Sequence, residues 1–479
     1  MKYYIDLFGC VKNQVDAENI MAYLNEAGWA PVKEPDEANL IIVNSCGFIE
    51  SAKQESINAV LSWRKNFPEK KILLAGCLAQ RYSKELAESL PEADGFFGVD
   101  NLTGIAEVAE ELAEGAYRTI GRGTRGARRK PAEPKAEGDR RERRDVAEGA
   151  VRNLGERPLL SLPGSAYVKI SEGCDNNCSY CAIPLIRGKL QSRHADDIVE
   201  ECKILLGRGI KELCLVGQDT GSYGRDLSSG LLTELRAENL PFTNLPGLLE
   251  KLSLLEGDFW IRLLYIHPDH FPLGILDIME KDRRVLPYFD IPFQHGSEKI
   301  LKAMNRQGNT ETYLKLIETI RERINDAVIR STLMTGFPGE TKDDFSALLD
   351  FQQKAKLDWL GCFAYSREEN TPSYVMKGKV GKKLAAERKR LIEEKQIHIT
   401  EKQMDRFIGR TFGVLVEEKF EAPNEDEPVF YLGRLPFQAP EIDGAAVIIT
   451  DESLELGAII PCKITARAGF DLKVEPVKF

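Results

Sequence analysis

At Lys169–Gly188 the chain reads KISEGCDNNCSYCAIPLIRG, in which three cysteines follow the spacing Cys-x3-Cys-x2-Cys. A zinc site would need a fourth ligand, for which His194 is the nearest candidate. Three cysteines in one short loop instead favour a cubane iron–sulfur cluster that leaves one iron open. The loop follows the predicted strand Ala166–Ser171, so it lies at the carboxyl end of that strand, where barrel enzymes place their chemistry. The three cysteines are Cys174, Cys178 and Cys181.

Residues 160–370, around this loop, alternate between strand and helix patterns. Six short apolar runs rich in β-forming residues predict strands, and helical patterns lie between them. Such a series of strand–helix units predicts an open or partial (β/α) barrel. The predicted strands are Ala166–Ser171, Glu212–Val216, Trp260–Tyr265, Tyr288–Ile291, Val328–Met334 and Trp359–Tyr365.

Residues 1–105 show the same alternation, which predicts an α/β domain with a parallel sheet. Cys10, Cys46 and Cys77 each follow a predicted strand. Parallel strands end at one edge of a sheet, so the three thiolates can converge on a second cluster with an open iron. Three buried cysteines at strand ends are the simpler alternative. Glycines beside the cysteines would permit close backbone approach, and these are Gly9, Gly47 and Gly76. The predicted strands are Tyr3–Phe8, Leu40–Asn44, Lys71–Ala75 and Phe96–Val99, and the predicted helices are Asp16–Ala27, Glu50–Lys65 and Ser83–Leu90.

The last part of the chain changes character. Lys377–Phe407 has a charged amphipathic pattern that predicts one long packing helix. Beyond it, short strand patterns separated by turns predict a small all-β barrel. These patterns divide the chain into domains at 1–114, 159–403 and 404–479. The predicted strands of the small barrel are Phe412–Val416, Ala446–Thr450, Ile459–Ile464 and Leu472–Val474.

An Arg-rich insert at 115–158 separates the first two domains. It has almost no large apolar residues between Gly121 and Arg144, and Arg118–Arg157 holds 13 basic and 7 acidic residues. This composition predicts a solvated, disordered linker. An arm that touches RNA is the alternative.

The overall composition is that of a globular protein, with 43% hydrophobic and 29% charged residues among 479. It excludes global disorder and fibrous repeats. No apolar run approaches the roughly 18 residues that span a bilayer, and Met1–Cys10 lacks a secretory leader pattern. We therefore expect a cytoplasmic protein without a membrane partner, in which clustered cysteines bind metal rather than form disulfides. Four cysteines without ligand spacing are predicted core residues, namely Cys202, Cys214, Cys362 and Cys462.

The motif at Lys169–Gly188 resembles the radical S-adenosylmethionine (SAM) superfamily. Together with a three-cysteine domain before it and a β-barrel after it, the chain resembles the methylthiotransferases, whose last module is a TRAM domain. The resemblance covers nearly the whole chain except 115–158. Other matching segments are GQDTGSYG (Gly217–Gly224), DIPFQH (Asp290–His295), GFPGET (Gly336–Thr341) and APEIDG (Ala439–Gly444).

One branch of that family modifies adenosine in transfer RNA, and the other modifies the β-carbon of an aspartate in ribosomal protein twelve of the small subunit. GCVKNQVDAE, at Gly9–Glu18, has the Lys-Asn-x-x-Asp pattern of the ribosomal-protein branch, and APEIDG in the terminal barrel also resembles that branch. Val11 departs from a frequent proline and Gly221 from a threonine. Residues 405–479 hold 8 Lys and Arg against 14 Asp and Glu, a balance that disfavours RNA phosphates.

The resemblance implies two [4Fe–4S] clusters and SAM. The cluster that cleaves SAM would be held by Cys174, Cys178 and Cys181. The auxiliary cluster, whose open iron would carry sulfide, would be held by Cys10, Cys46 and Cys77. One SAM would methylate that sulfide and a second would supply the radical. The expected partners are ribosomal protein twelve, free or within the small subunit, and an electron donor such as flavodoxin or ferredoxin; the protein itself is expected to be a monomer.

Few further site residues emerge from the sequence. Gly336, after the fifth barrel strand, would let the backbone approach the adenosyl group, or it is an ordinary turn glycine. Asp219 and Tyr223 are candidate residues of the barrel mouth, as are His267 and His270, without an assigned chemical step. Three other functions remain as alternatives: a transfer-RNA methylthiotransferase, a non-catalytic iron–sulfur carrier and a structural zinc protein.

Overall fold

The computed structural model describes residues 1–115, 119–120, 154–228, 243–420 and 429–477. In chain order these residues form a parallel α/β domain, a partial (β/α) barrel and a closed β-barrel. The fold class predicted from the sequence is thereby confirmed. Among the described residues, no helix combines the length and the apolar character needed to cross a membrane.

The first unit is a six-stranded parallel sheet in the order β2-β1-β3-β4-β5-β6. Alternate residues of β3 enter two apolar cores, one on each face of the sheet. The strands are β1 Lys2–Leu7, β2 Ala30–Pro31, β3 Leu40–Ser45, β4 Lys71–Gly76, β5 Gly95–Phe97 and β6 Thr119–Ile120. The helices are α1 Val11–Glu26, α2 Glu50–Asn66, α3 Cys77–Ser89 and α4 Ile105–Ala113.

Two helices of this unit begin earlier than the sequence predicted. α1 begins directly after Cys10, and α3 begins at Cys77 itself. The first turn of α1 buries polar side chains, including Lys12 and Asn13, against the second unit. These first turns therefore lack the regular spacing of apolar residues that predicts a helix, and the sequence pattern predicts only the later part of each helix.

The second unit arranges six parallel strands as a partial barrel in two sheets, β11-β10-β7 and β12-β13-β14. A hydrogen bond from Ile266 N to Asp290 O (2.9 Å) joins the two sheets. In the described part of the chain β7 and β14 do not pair with each other, so the barrel is open between them. The strands are β7 Ser165–Lys169, β8 Ser171–Glu172, β9 Gln191–Ser192, β10 Glu212–Val216, β11 Trp260–Leu263, β12 Tyr288–Asp290, β13 Val328–Thr335 and β14 Trp359–Ala364. The helices are α5 Ile183–Ile186, α6 Ala195–Gly207, α7 Arg225–Ser228, α8 Leu245–Ser253, α9 Gly274–Lys281, α10 Glu298–Ala303, α11 Thr310–Arg323, α12 Lys342–Ala355 and α13 Lys382–Asp405.

The first unit contacts both edges of this opening. On one edge, Lys169 of β7 forms a salt bridge with Asp16 of α1. On the other edge, Glu368, which follows β14, accepts hydrogen bonds from Lys53 of α2 (3.2 Å) and Arg81 of α3 (2.7 Å). The first unit is therefore held at the side where the barrel is open.

The third unit is a closed barrel of five strands in the order β15-β16-β17-β19-β18. The sequence predicted four of these strands and missed β16. A glycine weakens a strand pattern, and β16 contains Gly433. A Cβ on Gly433 would lie 2.3 Å from Leu415 O, so neighbouring backbone requires the glycine. The strands are β15 Thr411–Phe420, β16 Val429–Arg434, β17 Ala446–Thr450, β18 Ile459–Ala468 and β19 Asp471–Pro476.

Buried charges join the third unit to the amino ends of the barrel strands. Glu212, the first residue of β10, accepts hydrogen bonds from Arg262 Nε (2.7 Å), Ser165 Oγ (2.7 Å) and Arg434 Nη1 (3.1 Å). Arg434 also pairs with Glu417 at 2.7 Å. All five residues are buried. This network fixes the small barrel at the end of the (β/α) barrel opposite the cysteine loop.

The APEIDG segment contributes a second contact of the same kind. Asp443 Oδ2 accepts hydrogen bonds from the Tyr288 hydroxyl (2.6 Å) and from Ala439 N (2.8 Å). Arg330 Nε lies 3.7 Å from Asp443 Oδ1. Burial raises the pKa of Asp443 to about 6, although Arg330 lowers it. The motif thus anchors a loop of the third unit against strands β12 and β13.

Replacing Asp443 by asparagine should change how stability depends on pH. The ordinary pKa of 3.8 is raised to about 6 in the folded protein, so the folded state holds this proton more tightly than the unfolded chain. Wild-type stability should therefore fall as the pH rises from about 4 to about 6, by about 3 kcal/mol. The variant lacks this titration. In urea unfolding, its stability relative to the wild type should rise by that amount across the window, and a constant difference would contradict the burial of this carboxyl group.

The predicted linker at 115–158 lies largely outside the described residues. At its described end, Arg157 is buried and donates hydrogen bonds to Glu18 Oε2 (2.9 Å), Glu201 Oε1 (2.7 Å) and Tyr167 O (2.6 Å). These bonds tie α1 to α6 and β7, so this end of the segment is part of the folded protein. The division into domains at 1–114, 159–403 and 404–479 stays a prediction.

Candidate active site

The first cysteine set lies in the loop between β8 and α5, at the barrel mouth. The amide of Asn176 donates to Cys174 Sγ, and that of Ile183 donates to Cys181 Sγ, both at 3.4 Å. Backbone donors of this kind stabilise thiolates. Cys178 raises the pKa of Cys174, and both Cys174 and Cys178 raise that of Cys181, so the loop brings the three thiols within electrostatic reach.

Burial controls the protonation of this set. It raises the pKa of Cys174 to about 11 and that of Cys181 to about 12. Metal ligation requires thiolates, so metal binding here releases protons. Nε2 of His267 lies 3.8 Å from Cys178 Sγ. Burial, together with the nearby Arg306, lowers the pKa of His267 to about 2, so this imidazole is neutral.

Asp219, a candidate mouth residue, holds the cysteine loop in place. Its Oδ2 accepts a hydrogen bond from Asn176 Nδ2 (2.7 Å) and another from Ser222 Oγ (2.6 Å). Its Oδ1 accepts one from His267 N at 3.1 Å. One carboxylate therefore connects the loop of the first cysteine set to the loops after β10 and β11. Tyr223, by contrast, is part of the barrel core.

Replacing Asp219 by asparagine should weaken the hold of the loop on iron. An amide nitrogen in place of Oδ2 cannot accept the hydrogen bond from Asn176. Loss of a residue that orients metal ligands typically costs about 10-fold to 100-fold in metal affinity. Iron per chain after desalting should fall accordingly, and Asp282→Asn, which is remote from the mouth, should retain wild-type iron. Full retention by the Asp219 variant would contradict its positioning role.

The second cysteine set lies at the amino ends of helices in the first unit. Cys10 is the N-cap of α1, Cys77 is the first residue of α3, and Cys46 shortly precedes α2. Cys10 raises the pKa of Cys46, and both Cys10 and Cys46 raise that of Cys77, so the three are within electrostatic reach. The amino end of a helix favours bound anions. The three cysteine-bearing loops thus lie at one edge of the sheet, and the convergence of their thiolates on a cluster stays a prediction.

Two glycines make the close approach of these loops possible. A Cβ on Gly47 would lie 2.7 Å from the carbonyl oxygen of Cys77, and one on Gly76 would lie 2.6 Å from Ser45 O. Gly76 also has a φ of +95°, which side-chain-bearing residues rarely adopt. These loops could not approach so closely with any other residue at the two positions.

Arg187 joins the two cysteine sets, which the sequence analysis did not foresee. It is the arginine of the IRG segment (Ile186–Gly188) of the first motif, and its Nη2 donates to Cys77 Sγ at 3.1 Å. The same Nη2 donates to Asn13 Oδ1 (2.7 Å) and Asp16 Oδ2 (2.8 Å), and Nη1 donates to Glu172 (3.0 Å). One guanidinium thus links the loop of the first cysteine set to the second set. The only signal in the sequence was its place within the matching motif.

The cations near the second set affect its thiols differently. Burial raises the pKa of Cys10, but Lys12 and Arg187 lower it more, so the net pKa lies below the ordinary value. Burial raises the pKa of Cys77 to about 12, although Arg187 opposes this. The local charge therefore favours an anionic ligand set on the Cys10 side.

Lys12 occupies a position that its sequence motif did not reveal. Its Nζ lies 3.5 Å from the centroid of the Tyr265 ring, and only 9% of the residue is exposed. The backbone of Tyr265 is held by Asp290, which accepts hydrogen bonds from Tyr265 N (3.2 Å) and from Arg330 Nη1 (2.9 Å). The first turn of α1 thus places an ammonium group over a residue of the barrel mouth.

Both sets suit iron–sulfur clusters by their donor chemistry. All six cysteines are free thiols. In the described ranges, no group of three or more His, Cys, Asp or Glu side chains is arranged to hold a metal ion. A cubane differs from a single ion because each cysteine binds a different iron, so the thiolates need not meet at one point. The assignment of the six ligands stays a prediction.

Gly336 lies in the turn after β13, as the sequence placed it. Its amide donates to Glu340 Oε2 at 2.6 Å. A Cβ at this position would lie 2.4 Å from the Cβ of Ala385 in α13. Close packing against that helix accounts for the glycine, and its approach to an adenosyl group stays a prediction.

A cavity of about 600 Å³ opens beside the cysteine loop. His270 Nε2 lies 2.8 Å from Asn176 Oδ1, and the His267 and His270 rings stack with centroids 5.3 Å apart. The two histidines therefore line the barrel mouth, as the sequence suggested. The cavity is lined by residues that include Asn176, Cys178, Arg225, His267 and His270.

Three family models match the chain, one for each structural unit. Residues 2–98 match the uncharacterized protein family UPF0004, and residues 168–351 match the Radical SAM superfamily. Residues 408–477 match the TRAM domain. Membership of the second unit in the Radical SAM superfamily implies SAM and one [4Fe–4S] cluster as cofactors.

Curated relatives extend this similarity over the whole chain. A protein of Treponema denticola named ribosomal protein uS12 methylthiotransferase RimO is 46% identical, over 99% of this chain and 100% of its own. A protein of Carboxydothermus hydrogenoformans with the same name is 39% identical, over 99% of each chain. The chain also resembles the radical SAM methyltransferase TsrM from Kitasatospora setae in fold, with a TM-score of 0.50, 14% identity and coverage of 88% and 79%. The chain belongs to the RimO family of ribosomal protein uS12 methylthiotransferases, which are radical SAM enzymes.

Proposed function

We propose that this protein replaces a hydrogen on the β-carbon of an aspartate in ribosomal protein uS12 by a methylthio group. The observation that carries the proposal is the hydrogen bond of Arg187 to Cys77. Insertion of a methylthio group needs a radical generator and a sulfur carrier at one substrate. A single side chain that connects the loops of both cysteine sets meets that requirement. The names of the full-length relatives support the same activity.

We assign the first set, Cys174, Cys178 and Cys181, to the cluster that binds SAM, and the second set to an auxiliary cluster. When bound, these groups supply a hydrogen-abstracting radical and the methylated sulfur. The side chains of the protein position the loops that carry these cysteines. Asp219 fixes the loop of the first set through Asn176. The second set comprises Cys10, Cys46 and Cys77.

Arg187 has two roles in this assignment. Its hydrogen bonds to Asp16 and Cys77 hold the first unit against the barrel mouth. Its positive charge also lowers the pKa of Cys10 and Cys77, against the effect of burial. The thiolate forms needed for ligation are thereby favoured at the junction of the two units.

The surface of the third unit favours a protein substrate over RNA. Three of its arginines already pair with carboxylates: Arg410 with Asp326, Arg434 with Glu212 and Arg467 with Asp405. Binding to RNA depends on cations that neutralise phosphates. Carboxylates exposed on this unit suit a basic ribosomal protein, and they include Glu418, Asp451 and Glu455.

The remaining partners follow from the reaction. Reductive cleavage of SAM consumes an electron, for which a flavodoxin or ferredoxin is a suitable donor. A ribosomal substrate would place the enzyme in the cytoplasm. We expect a monomer to suffice, since both cysteine sets lie in one chain.

Parallel incubations with uS12 and with transfer RNA test the substrate class. The reconstituted enzyme receives SAM, sulfide and reductant under anaerobic conditions, and the products are read as intact protein mass and as digested nucleosides. We expect a methylthio group on uS12 and none on adenosine. Methylthioadenosine without a change in uS12 would assign the chain to RNA modification. Absence of SAM consumption would favour an iron–sulfur carrier.

A further inference from the structure

The Lys12 side chain is a buried cation that forms no ion pair with a carboxylate in the described part of the chain, although its charge also acts on the Cys10 thiol. It is 9% exposed and forms no salt bridge or hydrogen bond with the residues that the structure describes. Its ammonium group lies over the face of Tyr265, at 3.5 Å from the ring centroid. A buried charge costs free energy unless it is paired. A cation–π contact offsets only part of that cost.

One nearby carboxylate, that of Asp290, does not meet this need. It lies beside the backbone of Tyr265, the residue whose ring Lys12 contacts. However, its oxygens already accept hydrogen bonds from Arg330 (2.9 Å) and from the amide of Tyr265 (3.2 Å). The Asp290 charge is thus shared with a guanidinium. Lys12 retains the capacity to bind another anion.

The position of Lys12 places such an anion between the two cysteine sets. Lys12 lies in the first turn of α1, directly after the N-cap Cys10. The aromatic ring beneath it belongs to Tyr265, which follows β11 at the barrel mouth. Two residues further on, His267 lies 3.8 Å from Cys178. An anion on Lys12 would therefore lie near Cys10 of the second set and beside the loop whose His267 reaches Cys178 of the first set.

We propose that Lys12 binds the side-chain carboxylate of the aspartate that the enzyme modifies, and so acts as a residue that determines specificity. This inference rests on the proposed function. The carboxyl carbon of aspartate is bonded directly to the β-carbon. A cation that holds the carboxylate consequently fixes the reacting carbon between the two cysteine sets. An asparagine side chain, which carries no charge, would leave the ammonium unpaired and be rejected.

Equilibrium binding of two peptides tests this role without turnover. Labelled uS12 peptides carry the target aspartate or an asparagine in its place, and holoenzyme without reductant binds them in an anisotropy titration. The wild type should prefer the aspartate peptide by about 10-fold to 100-fold. Lys12→Met should bind both peptides equally, at the wild-type affinity for the asparagine peptide. Lys12→Arg should restore part of the preference.

Two controls separate specificity from cluster binding. Lys203→Met, on the exposed face of α6, should leave the peptide preference unchanged. Lys12→Met should keep reductive SAM cleavage without substrate, because that activity depends on the first cysteine set. Loss of iron from Lys12→Met would overturn the inference, because Lys12 would then serve the cluster.

The outcomes also separate this inference from the proposed function. A wild type that modifies uS12, with an unaltered aspartate preference in Lys12→Met, would overturn the role of Lys12 alone. A wild type that neither distinguishes the peptides nor modifies uS12, but modifies transfer RNA, would overturn both. Loss of the preference in Lys12→Met, with iron retained, would support both.

Discussion

Replacement of Cys46 by alanine should abolish methylthio transfer and leave reductive SAM cleavage intact, whereas replacement of Cys178 should abolish both. The two cysteines lie in different units and on different loops. Each variant should lose one cluster, so iron should fall from about eight to about four per chain. The loss of transfer should be complete, because neither set can replace the other.

Three measurements check this prediction on each variant: iron content, 5′-deoxyadenosine formed under reduction, and methylthio groups on uS12. Cys202→Ala is the matched control, since Cys202 is a buried cysteine of the barrel core. It should retain iron and both activities. If Cys46→Ala also lost SAM cleavage while the control did not, the two sets would not have the separate roles assigned to them.

Replacement of Glu212 by alanine should cause the largest loss of stability among single changes at the interface between the second and third units. The Glu212 carboxylate pairs with Arg262 and Arg434, and all three side chains are buried. Removal of one partner leaves buried cations uncompensated, which costs about 3–5 kcal/mol. Ser165 Oγ would also lose its acceptor.

Urea unfolding followed by tryptophan fluorescence measures this loss, and Trp260 and Trp359 lie in the core shared by the two units. The control is Glu394→Gln, which removes an exposed pair with Arg390 on α13. That change should cost about 0.5 kcal/mol or less. Equal effects of the two substitutions would show that the Glu212 network does not hold the third unit in place.

The pH dependence of the network has a definite sign. Burial raises the pKa of Glu212, but Arg434 and Arg262 lower it more, so the net pKa lies below the ordinary value. A carboxylate with a lowered pKa stabilises the fold at neutral pH, and this stabilisation is lost as the pH falls below the ordinary range. Wild type and Glu212→Ala should therefore become more alike in stability upon acidification.

Regular patterns in the sequence predicted the frame of the molecule. Alternating strand and helix patterns gave both parallel units, because buried strands and amphipathic helices have distinct periods. Because parallel strands end at one edge of a sheet, the positions of Cys10, Cys46 and Cys77 after three such strands predicted that they lie near one another. The tight loop at Cys174–Cys181 needed no tertiary information, since its ligands are close in sequence.

Contacts between distant residues were beyond this reasoning. Arg187 and Cys77 are linked by a hydrogen bond across two units, and Lys12 reaches across the same two units to the ring of Tyr265. No local period encodes such pairs. Arg434 shows the same limit, because an arginine in a strand reads as a surface residue until its buried partners are known.

Tandem mass spectrometry of uS12 tests the central claim most directly. After anaerobic incubation with wild-type enzyme, SAM, sulfide and reductant, the fragment spectrum should locate one methylthio group on the β-carbon of a single aspartate. The same incubation with Cys46→Ala should leave uS12 unchanged while 5′-deoxyadenosine still forms. An unmodified aspartate after incubation with wild-type enzyme that holds both clusters and cleaves SAM would contradict the account.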